Sequence, residues 1–246
     1  MLLAIDIGNT NISFGIFKGK KLKNKFDIPA DTYSKSKLLK KIGVVRPGLF
    51  DIAICSVVPK LTRLLQRDLE SLTGQKAYII GKNLNIPINN RYYKPAQLGQ
   101  DRLVNAYAAI KLYKTPLIVI DSGTAVTFDV VGSNQAYLGG LISPGMKISF
   151  EALKEKTALL PLVKLGAPKI LIGRSTKASI LSGVVFGIAG MVKELVNRVK
   201  KDIGENATVI GTGGNINLIK KYSRLELKIE TELTLKGINF IYENKI

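Results

Sequence analysis

One short pattern occurs twice in the chain and constrains its fold more than any other feature. In LLAIDIGNT an apolar run ends at Asp6 and is followed by Gly8. LIVIDSGTA repeats this arrangement around Asp121 in the second half of the chain. Asp, Gly, Asn and Thr are good turn formers, so a single copy favours a purely structural turn after a buried strand. Two copies at matching places predict an internal duplication.

The elements predicted around the two copies support this duplication. Apolar alternation predicts strands at residues 2–7, 12–17, 22–28, 50–58, 77–80, 117–122, 126–131 and 136–142, and another in ATVIGTGG. Helical spacing predicts helices at residues 34–42, from Pro59 onward, through LGQDRLVNAYAAIKLY, and at 182–201. We therefore predict an α/β protein of two similar halves, each of which opens with a hairpin-like unit.

Composition limits the classes of function. The 246 residues have ordinary globular usage, but 37 Lys and Arg against 18 Asp and Glu give a net charge of +19. Such an excess favours anionic ligands, whether nucleic acid, anionic lipid or phosphorylated metabolites. The densest basic run, KGKKLKNK at residues 18–25, falls at a predicted turn between strands. We interpret it as a solvated turn rather than a nucleic-acid patch, because no aromatic residues alternate with the lysines.

Several residue types are scarce or absent. The chain has no histidine, which excludes Ser-His-Asp triads and histidine metal sites. Its single cysteine, Cys55, excludes an intramolecular disulfide and fits a reducing compartment. The longest uncharged stretch, residues 178–192, is shorter than the roughly 18 to 20 residues that a membrane span needs. Because the N-terminus also lacks a basic leader, we expect a cytoplasmic, soluble protein with no membrane partner.

The two Asp-x-Gly turns could bind phosphate as well as reverse the chain. Gly8 would let backbone amides approach an anion, and the carboxylate of Asp6 could hold Mg²⁺ that bridges phosphate oxygens. If the halves face each other, both turns could hold the phosphates of one nucleotide. The glycine turn Gly211-Thr212-Gly213-Gly214 would then be a suitable floor for the nucleoside.

The segment LGQDRLVNAYAAIKLY supplies a candidate base. Its helical spacing places Asp101 and Arg102 in the first turn of a helix. An acidic residue there is commonly a capping device worth about 1 kcal/mol. Alternatively, Asp101 accepts a proton from an alcohol while Arg102 holds an anionic substrate or transition-state oxygen. The spacing alone leaves both interpretations open.

Six motifs in one order give the chain a family resemblance. They are DIGNT (6–10), GQDR (99–102), DSGTA (121–125), GGLISPG (139–145), TALLP (157–161) and IGRST (172–176). With these motifs the chain resembles type III pantothenate kinases, of the superfamily that includes acetate and sugar kinases, heat-shock chaperones and actin. The resemblance implies two similar actin-like (ribonuclease H-like) halves, at residues 1–114 and 115–246, with a nucleotide cleft between them.

The resemblance also implies an activity, the ATP-dependent phosphorylation of (R)-pantothenate to 4'-phosphopantothenate, the first step of coenzyme A biosynthesis. Asp101 would be the general base. The pantothenate site would comprise Tyr92, Gly99, Gln100, Asp101, Arg102 and Thr176, with Thr176 reaching it from the other subunit of a homodimer. The ATP site would comprise Asp6, Ile7, Gly8, Asn9, Thr10, Asn11, Ile12, Ser13 and Thr124. Asp6 would hold the Mg²⁺ that accompanies ATP, and Asp121 a monovalent cation, K⁺ or NH₄⁺.

One departure from the family pattern is Ser175, where relatives usually carry Asn. Two rival functions remain at this stage. One is a nucleic-acid-binding regulator, because the family resembles proteins once described as accessory transcription factors; we expect no nucleic acid partner. The other is a different kinase or phosphatase of the superfamily, which would act on a sugar or polyphosphate.

Overall fold

A computed structural model describes residues 1–42 and 50–245. In the first part of the chain these residues form β1 (Leu2–Ile7), β2 (Asn11–Lys18), β3 (Lys21–Pro29), α1 (Lys35–Ile42), β4 (Asp51–Ser56), α2 (Pro59–Thr73), β5 (Tyr78–Ile79) and α3 (Gln100–Leu112). They continue with β6 (Leu117–Ser122), β7 (Ala125–Val131), β8 (Tyr137–Pro144), α4 (Met146–Glu155), α5 (Thr176–Ile203), β9 (Thr208–Thr212), α6 (Ile216–Ser223), β10 (Lys228–Ile229) and α7 (Leu233–Glu243). Short 3₁₀ turns lie at Ala30–Thr32 and Pro95–Gln97.

Two sheets repeat the same strand topology. The first has the order β3-β2-β1-β4-β5, and the second, written in the same sense, has the order β8-β7-β6-β9-β10. In each, three antiparallel strands come first in the chain and two further strands then join in parallel. Parallel strands need crossover connections, which helices supply in both sheets. The internal duplication and the class of two similar α/β halves are therefore confirmed.

The duplicated aspartates occupy equivalent places. Asp6 is the second-last residue of β1, and Asp121 is the second-last residue of β6. A backbone hydrogen bond of 3.0 Å closes each turn, from Gly8 N to Asn11 O three residues on and from Gly123 N to Ala125 O two residues on. The carboxylates of Asp6 and Asp121 thus lie at the C-terminal ends of equivalent strands.

The first sheet is covered by helices on both faces. On one face Leu3 and Ile5 of β1 pack with Leu38 of α1 and with Leu65 and Leu69 of α2. All five side chains are fully buried. Each contributes about 1.5–3 kcal/mol relative to leaving it exposed. The leucines that predicted α2 are therefore the ones that hold it to the sheet.

The other face of this sheet carries the elements that matter for the candidate site. Leu2 and Ala4 of β1 pack there with Val104 of α3 and Ile238 of α7. Successive side chains of a strand point to opposite faces, so Asp6 follows Leu2 and Ala4 on this face. The packing thus brings α3 to the sheet face that bears Asp6.

The second sheet packs against α4, α5 and α6. Ile118 and Ile120 of β6 form one cluster with Phe150, Val185 and Ile219 from these three helices. With its 28 residues, α5 is long and apolar enough to cross a membrane, the one such helix among the described residues. A single helix of this kind is weak evidence, because the core helices of soluble proteins pass the same test. Since α5 packs into this cluster along its length, it is a core helix.

The compact units differ from the expected division at residue 114. One unit comprises Met1–Leu112 together with the segment that starts at Glu232, and the other comprises Tyr113–Thr231. The C-terminal segment joins the first unit because α7 buries Leu235, Ile238 and Ile241 in the cluster on the α3 face. No sequence pattern used above singled out α7.

Most element boundaries agree with the sequence predictions within a few residues. The clearest difference is α5, which begins six residues before the predicted helix at 182. The basic run at residues 18–25 spans the turn between β2 and the edge strand β3, as predicted. Lysines on an edge strand oppose pairing with other chains, which gives this run a structural role.

Candidate active site

The first glycine turn is open and partly exposed. Gly8 is half-buried, while Asn9, Thr10 and Asn11 are exposed. A Cβ at Gly8 would lie 3.3 Å from Asn11 O, so a larger residue would crowd the turn. The turn therefore presents backbone and short polar side chains at the end of β1, as a phosphate-binding loop requires.

Asp6 has a buried neighbour on the adjacent strand. In the parallel pair β1–β4, Asp6 is in register with Cys55, which is fully buried. The pKa of the Cys55 thiol is raised well above its usual value, first by burial and then by the nearby carboxylates of Asp6 and Asp101. Cys55 is thus a neutral side chain close to two acidic ones.

Asp101 lies in the first turn of α3, as predicted. Its Oδ1 accepts a hydrogen bond of 2.9 Å from Arg102 N, and Arg102 N also donates to Gly99 O at 3.2 Å. A Cβ at Gly99 would collide with Asp101 Oδ1. A side chain at position 99 would therefore displace the Asp101 carboxylate.

The two charged residues of this turn differ in burial. Asp101 is half-buried, while Arg102 is 7% exposed. Burial raises the pKa of Asp101 above its ordinary 3.8, and this effect exceeds the opposing stabilisation by the backbone amide and the charge of Arg102. A carboxylate with a raised pKa is a stronger proton acceptor once ionised. The capping contact and the base role, the two alternatives from the sequence, are thus compatible.

Gln100, the first residue of α3, and Tyr92 belong to the same unit as Asp101. Gln100 is half-buried and its side chain lies against Gly81. Tyr92 is half-buried in the irregular segment before α3, and its backbone N donates to Asn90 Oδ1 at 2.9 Å. The irregular segment is therefore tied down locally.

In the second unit, Asp121 is enclosed by two glycine turns. It is half-buried and in register with Thr127 on one side and Thr212 on the other. Gly213 has φ +87, and a Cβ there would collide with Asp121 Oδ1. The predicted turn after β9 is thus confirmed, and only glycine allows its backbone to approach this carboxylate.

The backbone just before α4 contacts the turn of the β6–β7 hairpin in the second unit. Gly145 N, which precedes α4, donates to Thr124 O at 3.2 Å, and a Cβ at Gly145 would collide with that oxygen. Thr124 itself is exposed. Its neighbours therefore fix its backbone while its side chain faces solvent.

Thr176 begins α5 and is exposed. Ser175 caps this helix, since its Oγ accepts a hydrogen bond of 3.3 Å from Ala178 N. Ser and Asn are both favoured N-cap residues, so the departure at this position preserves the cap.

The structure thus gathers the predicted residues in two sets. Asp6, Asp101 and the residues around them belong to the first unit, whereas Asp121, Thr124 and Thr176 belong to the second. Sequence reasoning missed Cys55 as a neighbour of both acids, because the register of β1 against β4 and the position of α3 depend on the fold. It also missed Gly81, for which the sequence carries no signal.

Comparison with known proteins identifies the family. The family model for type III pantothenate kinase matches residues 2–198. The chain is also 37% identical to a type III pantothenate kinase from Dehalococcoides mccartyi, over 100% of this chain and 97% of that protein. The chain belongs to the type III pantothenate kinase family. A member of this family is a kinase, and the predicted family and enzyme class are therefore confirmed.

Solved structures agree on the fold of this pantothenate kinase family member. A Campylobacter jejuni protein assigned to the Baf family of transcriptional activators matches with a TM-score of 0.62 at 21% identity, over 99% of this chain and 98% of that chain. The activator of the 2-hydroxyisocaproyl-CoA dehydratase from Clostridium difficile, solved with bound ADPNP, matches with a TM-score of 0.54 at 13% identity, over 99% and 96%. Likeness at such identities shows the fold alone, and it supports the predicted actin-like class.

Proposed function

We propose that this protein uses ATP to phosphorylate the primary hydroxyl of pantothenate, giving 4'-phosphopantothenate and ADP in the first step of coenzyme A biosynthesis. The observation that carries the proposal is the half-buried Asp101 carboxylate at the start of α3, with a raised pKa and with Arg102 beside it. Phosphoryl transfer needs the protein to position the reactants, to neutralise charge and to provide a group that accepts the hydroxyl proton.

In this proposal Asp101 takes the proton of the substrate hydroxyl. The hydroxyl oxygen forms a bond to the γ-phosphorus of ATP as the bond to the β–γ bridging oxygen breaks, and ADP leaves. Arg102 binds negative charge on the substrate or on the transferring phosphoryl group. The burial of Arg102 strengthens this electrostatic interaction. Tyr92, Gly99 and Gln100 complete the pantothenate site, and Thr176 reaches it from the other subunit of the proposed homodimer.

For ATP, we propose the turn formed by Asp6 to Ser13, together with Thr124. Among the described residues no group of three or more His, Cys, Asp or Glu side chains could hold a metal. This fits Mg²⁺ that arrives with ATP, because Mg²⁺ keeps waters and phosphate oxygens and needs only one or two carboxylates. Asp6 would hold it, and its charge would offset that of the phosphates.

Asp121 is our proposed ligand for a monovalent cation, K⁺ or NH₄⁺. Its carboxylate is half-buried and closely approached by the backbone at Gly213, and Thr127 and Thr212 flank it. Carboxylate, hydroxyl and carbonyl oxygens are the donors that such hard cations prefer. The donor set therefore fits the ion.

We also propose a homodimer formed through α5. Gly183, Gly187 and Gly190 are exposed on this helix, and a Cβ at each would meet nothing within 4 Å. Nearby in sequence, Leu159 and Ile172 are 90% and 81% exposed. Exposed apolar side chains of this size are typical of an interface. Sedimentation should give a dimer for the wild type and a smaller species for Gly187→Glu, and a monomeric wild type would refute the interface.

A coupled assay of ADP release tests the proposed activity in the cytoplasmic ionic conditions that we expect for this enzyme. ADP should appear only when pantothenate, ATP, Mg²⁺ and K⁺ are all present. Sugars and polyphosphate serve as alternative substrates in parallel reactions. A duplex DNA titration at two salt concentrations completes the test, since tight, salt-sensitive DNA binding without pantothenate-dependent turnover would favour a regulator instead.

A further inference from the structure

A tight turn lies under the start of α3. Ile79 O accepts hydrogen bonds of 3.2 and 3.3 Å from Asn83 N and Leu84 N, and Gly81 N donates to Leu84 O at 2.9 Å. The side chain of Asn83 closes the turn, because its Oδ1 accepts from Ile79 N at 2.6 Å. Leu84 is 5% exposed and belongs to the hydrophobic cluster on the α3 face. The turn is thus a fixed platform rather than a loose loop.

Gly81 is the point at which this platform meets the proposed pantothenate site. Its φ is +80, a conformation that favours glycine. A Cβ built on Gly81 would lie 2.7 Å from both Cδ and Oε1 of Gln100, and 3.0 Å from its Cγ. The amide group of Gln100 therefore rests directly over the bare Cα of Gly81.

We propose that Gly81 is a positioning residue that holds the Gln100 side chain where pantothenate binds. The inference rests on the proposed function, because Gln100 is assigned there to the substrate site. Gly81 acts through Gln100 in two ways. Its missing side chain leaves room for the Gln100 amide, and its left-handed conformation sets the turn that supports that amide.

Apart from the backbone strain that any side chain meets at φ +80, a methyl group at position 81 should displace Gln100 and little else. The three atoms that it would meet all belong to the flexible end of that side chain, so rotation of Gln100 relieves the overlap without moving the backbone of α3. Asp101 and its contacts with Arg102 and Gly99 should stay in place. Gly81→Ala should therefore reproduce the functional effect of Gln100→Ala.

The chain offers a matched control at the end of α2. Gly74 has φ +69, and its N donates to Glu70 O at 2.9 Å. A Cβ at Gly74 would meet nothing within 4 Å. Gly74→Ala thus imposes the same kind of backbone strain as Gly81→Ala and lacks the overlap with Gln100.

The experiment compares wild type, Gly81→Ala, Gly74→Ala, Gln100→Ala and the Gly81→Ala/Gln100→Ala double variant. For Gly81→Ala and Gln100→Ala we expect the KM for pantothenate to rise about tenfold, the effect of losing one hydrogen bond to a neutral group, with the KM for ATP unchanged. The double variant should be no worse than either single variant. Gly74→Ala should lower Tm and leave both KM values unchanged.

Thermal melts give a readout that does not depend on activity. In the Gln100→Ala background, Gly81→Ala should lower Tm only as much as Gly74→Ala does, because the overlapping atoms are gone. Independent, additive effects of the substitutions at 81 and 100 on Tm or on the pantothenate KM would overturn the inference. A wild-type protein without pantothenate-dependent turnover would instead refute the proposed function, and the Tm comparison would still test the contact.

Discussion

Replacing Asp101 by Asn separates the two roles that its position allows. Asn keeps an oxygen that can accept from Arg102 N, so the 2.9 Å contact at the start of α3 survives. What is lost is the negative charge and its capacity to take a proton. General base catalysis contributes roughly 10²- to 10⁴-fold, so we expect kcat to fall by that factor, or about 3–5 kcal/mol in the barrier.

The same substitution should make the protein more stable at neutral pH. Burial raises the pKa of folded Asp101, and this outweighs the stabilisation of the charge by Arg102. A group with a raised folded pKa favours folding below its unfolded pKa, and that contribution is lost as the pH rises through the folded pKa. Asn removes the cost of the buried charge, so the Tm advantage of Asp101→Asn should shrink as the pH is lowered.

The assay pairs steady-state kinetics with thermal melts at several pH values. Asp202→Asn, at an exposed carboxylate in the last turn of α5, is the isosteric control and should leave kcat unchanged, with only a small Tm gain from removing an acid at the helix C-terminus. The binding of ATP to Asp101→Asn should stay close to the wild-type value. Near-normal kcat in Asp101→Asn would refute the base role of Asp101. An unchanged Tm of this variant at pH 7 would refute the claim that burial outweighs Arg102 in setting the pKa of Asp101.

Four further predictions follow from the described contacts. Wild-type kcat/KM should fall on the acid side with an apparent pKa above the ordinary 3.8 of Asp101, because protonation removes the base; a limb at or below 3.8 would contradict this. Asp121→Ala should weaken activation by K⁺ or NH₄⁺ in a salt titration, and equal activity in Na⁺ would exclude the cation role. Gly213→Ala should weaken this activation as well and also lower Tm, since its Cβ would meet both the Asp121 carboxylate and the backbone of Ser122. Ser175→Ala should lower the stability by about 1 kcal/mol in a denaturant melt while Ser175→Asn leaves it unchanged, and equal losses would contradict the capping role.

The repeated Asp-x-Gly pattern predicted the fold because it marks the same structural position twice. Strand alternation and helical spacing then placed β1, α2 and α3 close to their observed positions. The sequence did not predict α7, because this helix is stabilised by packing against residues far away in the chain, such as Val104. A local pattern carries no information about which unit a helix will join.

The candidate site was predictable to the extent that local turns define it. Asp101 and Arg102 could be placed at a helix start from spacing alone. The support of Gln100 by Gly81 could not, because it depends on a left-handed turn nineteen residues earlier that the fold brings beneath α3. The roles of these residues in binding and catalysis stay predictions.

The first unit contains a segment, from Glu232 onward, that follows the second unit in the chain, so the first unit can finish folding only after the second has been synthesised. A ribosome finishes residues 113–231 as one continuous segment, and the second unit can fold as soon as it emerges. The unit that holds Asp101 must wait for α7, which is made after the whole second unit and covers Leu2, Ala4 and Val104. A chain stopped after Thr231 should therefore retain a protease-resistant second unit and expose the apolar face of the first. Lesions near the C-terminus would thus disable catalysis by leaving the N-terminal unit unfinished during synthesis.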